Sequence, residues 1–195
     1  MTKEFIEGNK IFLEKDFERK KDRYMTLVES QHPTVLWIGC SDSRVNPERI
    51  THSRAGELFT HRNIGNIVPT HDWNFATVLE YAVKHLKVKK IVVCGHSDCG
   101  ALKALDADMK DDAYIPMWIY NAKEAQMRVD ARLPEQPKTP EEKAARKKEI
   151  EIENVRLQIE HLKTYPLVSE AERKGTVAVH GLYYDLKTGV LTEIA

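Results

Sequence analysis

The sequence has little cysteine: three in 195 residues. Three thiols cannot build a disulfide framework in a chain of this size. The first ten residues carry acidic groups and no apolar core, so no secretory leader is expected. Together these features predict a reduced, cytosolic protein. Long hydrophobic runs are also missing. Stretches such as Val35-Leu36-Trp37-Ile38 and Ile91-Val92-Val93-Cys94 fall far short of the roughly 20 residues that span a bilayer. Charge of either sign is not in excess, with 30 Lys plus Arg against 30 Asp plus Glu. That balance offers no electrostatic attraction to nucleic acid or to an anionic membrane surface. No repeat at a solenoid period is present.

What is present is enough apolar material, 42% of the residues, for the core of a single domain. Residues 3–30 read as helical, with large apolar side chains spaced at threes to fives, and His32-Pro33 stops the run. This arm (1–32) precedes an α/β core (33–195), and packs either on its own domain or on a partner subunit. Thr34 to Ile38, Leu58 to Arg62, Lys90 to Cys94 and Thr176 to His180 read as strands, the first and third as buried parallel ones. Asn46-Pro47 reads as an N-cap followed by Pro at N1. Residues 72–86, 99–106, 114–130 and 141–162 read as helices, the last highly charged with a thin apolar stripe and a solvated face. A short turn at 187–189 leads to a final strand at Val190 to Ile194, joined antiparallel. Strands alternating with helices predict an α/β fold. Its mainly parallel sheet has about four parallel strands plus a C-terminal antiparallel one, flanked by helices.

Functional groups of an open parallel sheet gather at the C-terminal ends of its strands. Two strand ends are unusual here: Gly39-Cys40-Ser41-Asp42-Ser43-Arg44 and Gly95-His96-Ser97-Asp98-Cys99-Gly100. If the strands are neighbours, the thiols of Cys40 and Cys99 and the imidazole of His96 converge. Two thiolates and one imidazole form a zinc set that leaves one tetrahedral position open. On spacing alone, the three are equally small buried residues beside glycines. Cys94 lies inside an apolar strand, where a thiol behaves as a small hydrophobe, and is not counted as a ligand. Asp42 and Arg44 are two apart in the same loop, so a guanidinium clamp would hold the carboxylate ionised and oriented. A freed Asp42 would instead fill the open metal position. An ordinary loop salt bridge is the bland alternative.

Cys-x-Asp-x-Arg at 40–44, followed by His-x-x-Cys-Gly at 96–100, resembles the signature of β-class carbonic anhydrases. Ala55-Gly56-Glu57-Leu58-Phe59, Arg62-Asn63-Ile64, Glu80-Tyr81-Ala82-Val83 and the strand before His96 extend the likeness, dense from 31 to 105 and weaker at 176–194. The resemblance implies one zinc per subunit on Cys40, His96 and Cys99, and attack of zinc-bound hydroxide on carbon dioxide to give bicarbonate. It implies that Asp42 and Arg44 form a catalytic dyad and that the Gly100 N–H holds substrate. Gln31, Phe59 and Tyr81 would line the cleft, with Gln31 reaching it across a dimer interface. A homodimer, doubled to a tetramer, follows, with the N-terminal helix gripping the partner. Some bacterial members also have a non-catalytic bicarbonate site of Trp, Arg and Tyr, matched here by Trp37, Arg62 and Tyr184, with adjacent Tyr183 the alternative. Bicarbonate bound there would be allosteric, breaking the clamp and sending Asp42 to zinc. Two rivals remain: a zinc hydrolase of the same fold acting on a linear molecule such as carbon disulfide, and a zinc-stabilised binding module without turnover.

Overall fold

The structure, a computed structural model, describes residues 2–195, which divide into two units, 2–32 and 33–195. In the first unit, helices α1 (Lys3–Phe12) and α2 (Lys21–Glu29) are joined by a π turn, Leu13–Phe17, and a 3-10 turn, Glu18–Lys20. The expected single helix is thus broken in the middle. At the break Phe12, Phe17 and Tyr24 cluster, the last two stacked with centroids 4.9 Å apart, and Tyr24 donates to Asp16 at 2.7 Å. Phe5, Ile6 and Val28 stay exposed.

In the second unit the chain runs β1 (Val35–Cys40), α3 (Pro47–Ile50), β2 (Leu58–Asn63), α4 (Trp73–Glu80), β3 (Lys90–His96) and α5 (Gly100–Lys103). It continues through α6 (Ile115–Ile119), α7 (Lys123–Arg132), α8 (Pro140–Lys163), α9 (Pro166–Arg173), β4 (Ala178–Tyr184) and β5 (Leu191–Glu193). Asn46 caps α3 ahead of Pro47, its side chain accepting from the Arg49 N–H. The sheet order is β2-β1-β3-β4-β5, parallel except for the β4–β5 pair, as the alternation of elements predicts. β1 sends its successor to one side and β3 docks on the other, so the strand order reverses between β1 and β3. At such a point the loops diverge and leave a crevice beyond the strand ends.

Several expectations need correction. Residues 114–130 form two helices around a 3-10 turn at Tyr120–Ala122, rather than one. α9 was not anticipated; it has only eight residues, begins with Pro166 at N1, and its periodicity is too short to read. The charged 141–162 segment is not chiefly a solvated helix. α8 is fixed at its start by a capping box between Thr139 and Glu142 and buries Ile150, Glu151, Asn154, Val155, Gln158 and Leu162. It packs on the sheet where β3 and β4 have no side chain. A Cβ at Gly95 would lie 2.6 Å from Val155 Cγ2, and one at Gly181 would lie 2.9 Å from Ile159 Cδ1. Its polar residues reach loops instead of water: Asn154 donates to the Gly65 carbonyl at 3.1 Å, and Gln158 accepts from the Val68 N–H at 2.7 Å.

Candidate metal centre

β1 and β3 pair in parallel with Gly39 opposite Cys94, so their C-terminal ends deliver Cys40 and His96 side by side. The chain then turns through Ser97 and Asp98, and Asp98 sits at φ 62, a left-handed conformation that Asp tolerates better than most residues. That turn sends Cys99 back beneath the strand ends. The ligand atoms of Cys40, His96 and Cys99 all lie within 4.8 Å of one another, and all three residues are buried. His96 Nδ1 is 2.9 Å from the Ser97 carbonyl, which can only accept, so Nδ1 carries the proton. The lone pair of Nε2 therefore faces the two sulfurs, and this atom is buried without a hydrogen-bond partner. A buried acceptor left unpaired beside two thiols is costly unless something binds it. The donor set and the orphaned nitrogen fit a thiophilic divalent cation. Cys94, by contrast, has its thiol pushed up to about 12 by burial, as expected of a spectator.

The hydrogen bond from Cys99 holds Cys40 down at about 4, against the opposing effect of burial. The same bond, with burial, pushes Cys99 up. Burial lowers His96, but contact with Cys40, the Ser97 carbonyl and the Asp42 charge together outweigh it and the net shift is upward. Asp42 stays outside the three-residue cluster, its Oδ2 3.9 Å from His96 Nε2. Arg44 donates to it from Nε at 3.0 Å and Nη2 at 2.7 Å, and the Arg44 N–H adds a third bond at 2.9 Å. The guanidinium chiefly, against burial, lowers the Asp42 carboxyl to about 2. The other edge of Arg44 meets Asp98, from Nη1 to Oδ2 and from Nη2 to the carbonyl, each at 3.2 Å. Asp98 also takes Lys103 and, at 2.6 Å, Lys147; these cations, Lys103 first, lower its pKa.

The remaining candidates scatter. Gly100 opens α5 with free space on the side where a Cβ would stand. Phe59 and Tyr81 pack on each other, centroids 5.9 Å apart. The register puts Asn63 opposite Cys40 and Phe59 opposite Leu36. Four residues along a strand separate Phe59 from the metal ligands, roughly 13 Å. Gln31 lies exposed in the first unit. Trp37 is buried and its Nε1 lacks a partner. Arg62 donates from Nε to the Cys40 carbonyl at 2.8 Å and from Nη2 to the Asp42 carbonyl at 2.6 Å. Tyr184 packs in the apolar cluster of Trp37, whereas Tyr183 points to the opposite face and donates to Glu151 Oε2 at 2.7 Å.

Two contributors escaped the sequence. Glu151, buried on α8, accepts the Cys99 N–H at 3.1 Å, and burial raises its carboxyl. Asp98 was visible only as a spacer inside His-x-x-Cys. Neither has a local signal, because each acts on a residue brought to it by the fold.

Beside Ser41, the neighbour of Cys40, opens a mostly apolar cavity of about 600 Å³ lined by Asn63, Ile64, Tyr114, Ile115, Met117 and Trp118. Among the described residues no helix is long and apolar enough to cross a membrane.

Comparison with known proteins places this arrangement. Residues 35–191 match the family model described as carbonic anhydrase. The chain is 34% identical over 192 residues to a carbonic anhydrase of Candida albicans, covering 98% of this chain and 67% of that protein. It is 35% identical over 192 residues to one of Pseudomonas aeruginosa, covering 96% and 84%. Among solved structures, the Coccomyxa β-carbonic anhydrase in complex with acetazolamide superposes with a TM-score of 0.88 at 32% identity, covering 100% of this chain and 86% of that one. A structure from a study of two tetrameric β-carbonic anhydrases of Sordaria macrospora gives 0.86 at 32% identity, covering 97% and 94%.

Proposed function

The chain belongs to the β-class carbonic anhydrases, and we propose that it hydrates carbon dioxide reversibly to bicarbonate and a proton, using one zinc ion held by Cys40, His96 and Cys99. The observation that carries the ligand assignment is the buried, unpartnered Nε2 of His96 facing two sulfurs within 4.8 Å. When bound, zinc acidifies water to near neutrality and so makes a nucleophile available at cellular pH. Asp42, kept ionised by Arg44, can only accept hydrogen bonds, and so orients the attacking oxygen. Gly100, the first residue of α5, has room on its Cβ side, and its N–H would hold the substrate oxygen. The apolar cavity beside Ser41 borders the loop that follows Cys40.

The cleft is completed by a second copy. Phe59 lies four residues along β2 from the position opposite Cys40, and Tyr81 packs on Phe59, so a partner subunit would bring such a pair to each site. The exposed apolar residues Tyr114 and Met117 and the arm's Phe5 and Ile6 supply surface for a homodimer, and pairing of dimers into a tetramer extends it. The cytoplasm, where thiols stay reduced, is the expected location.

Bicarbonate inhibition is part of the proposal. Trp37 Nε1 is a buried donor without an acceptor, and Arg62 holds the main chain of the loop that carries Asp42. Bicarbonate on Trp37, Arg62 and Tyr184 would compete for those Arg62 bonds and release Asp42 toward the metal.

Stopped-flow hydration between roughly pH 7 and 9, where such a water titrates, with zinc content on the same sample, tests the activity. One zinc per chain and hydration well above buffer are expected. A zinc-loaded protein without hydration would favour the binding module, or a related linear substrate if carbon disulfide is consumed. Cooperative inhibition by bicarbonate, lost in Trp37→Phe, is expected of the regulatory site; no inhibition in the parent protein removes it.

A further inference from the structure

We propose that Asp98, the spacer between the ligands His96 and Cys99, is a positioning residue that holds Arg44 on Asp42. The inference rests on the assignment of Asp42 to the hydration chemistry. Arg44 presents two edges. One grips Asp42 through Nε and Nη2. The other is occupied by Asp98, whose Oδ2 and carbonyl accept from Nη1 and Nη2 at 3.2 Å each. Four hydrogen bonds thus use three nitrogens of one planar group, and a guanidinium pinned on both edges cannot rotate away from Asp42.

Asp98 is itself anchored. Lys103 and Lys147 both reach its Oδ1, which leaves Oδ2 for Arg44. Lys103 is the last residue of α5, and Lys147 lies on α8. Two helices therefore fix the carboxylate that fixes Arg44. The left-handed backbone at φ 62 is part of the device, because it sets the Asp98 carbonyl within reach of Nη2. Arg44 and Asp98 are each about half exposed, so a lone pair between them would be weak. Shared donors and two lysines make it a network rather than a pair. Without the Asp98 carboxylate, Arg44 keeps its contacts to Asp42 and a single bond to the residue-98 carbonyl, and the Nη1 edge is free to move.

The backbone dictates the clean test. Asp98→Gly removes the carboxylate, tolerates φ 62 and keeps the carbonyl, whereas Asp98→Ala would add strain. Asp98→Asn keeps a left-handed preference and one acceptor oxygen. In zinc-loaded Asp98→Gly, kcat and kcat/KM should fall by the same factor, roughly three- to tenfold, with KM unchanged and one zinc retained per chain. Asp98→Asn should recover most of the loss. Independently of activity, the Arg44 Nε–H proton in NMR spectra should exchange faster in Asp98→Gly than in the parent and be restored in Asp98→Asn. Unchanged kcat and unchanged exchange in Asp98→Gly would overturn the proposal. So would activity lost only in proportion to lost zinc, which would make Asp98 part of the ligand loop alone. If the zinc-loaded parent itself fails to hydrate carbon dioxide, the functional reading falls, while the exchange measurement still decides whether Asp98 holds Arg44.

Discussion

Asp42 meets Arg44 through two guanidinium donors and a main-chain N–H, and its carboxyl is drawn down to about 2. Both its chemistry and its titration follow from that contact. Asp42→Asn keeps the shape but replaces an obligate acceptor by a group that also donates, so the attacking oxygen loses its orientation. Hydration should fall by about a hundredfold while zinc content, measured by metal analysis, stays at one per chain. The same residue gives a stability test on the metal-free protein. Its folded pKa lies below its unfolded value, so its contribution is fully present above the unfolded value and is lost as pH falls through about 2. Urea unfolding of the parent should therefore weaken between roughly pH 4 and 2 by more than that of Asp42→Asn. Equal slopes in the two proteins would mean that the clamp does not survive in solution.

At the scale of elements, α8 does work that its composition conceals. Its side chains Glu151, Asn154 and Gln158 recur at threes and fours and bond the Cys99 N–H, the Gly65 carbonyl and the Val68 N–H. A charged helix thus braces the loops that follow β2 and β3. It comes close enough because Gly95 and Gly181 leave the sheet bare beneath it. Gly95→Ala would drive a methyl into Val155 at 2.6 Å and should cost about 1–3 kcal/mol. Adding Val155→Ala should return part of that cost, so chemical denaturation of the double variant would show less than the sum of the single losses. Strict additivity would place the clash elsewhere.

At the scale of the whole molecule, the proposed cleft needs more than the Cys40, His96 and Cys99 cluster of one chain. The parallel register keeps Phe59 away from Cys40, and Tyr114 and Met117 stand 85% and 79% exposed in the lining of the apolar cavity beside Ser41, too apolar to be left to water. Sedimentation should show a dimer or larger. Met117→Glu should shift the population toward monomer and lower hydration together, with zinc retained. A fully active monomer would show that the cleft is complete within one chain.

The parallel sheet and its antiparallel last strand were legible in the sequence because their signals are local; the trio Cys40, His96 and Cys99 stood out only as residues at two strand ends, and the resemblance to a family joined them. Apolar runs mark buried strands, and chemistry-bearing residues just past a strand end sit where an open sheet exposes them. The Asp42–Arg44 contact was legible for the same reason, being two residues apart on one loop. The break in the first helix, the division of residues 114–130 and the short α9 were not, since each depends on what packs around it rather than on periodicity. Glu151 and Asp98 were hidden more deeply. A glutamate on a charged helix reads as solvated, and only the approach of α8 to two glycines turns it inward. An aspartate between two ligands reads as a spacer, and only the folding of α5, α8 and the Arg44 loop around it makes it an anchor. Which residues can hold the metal was thus written in the order of the chain; what holds those residues in place was decided in three dimensions, because hydrogen bonds between distant segments leave no periodic trace.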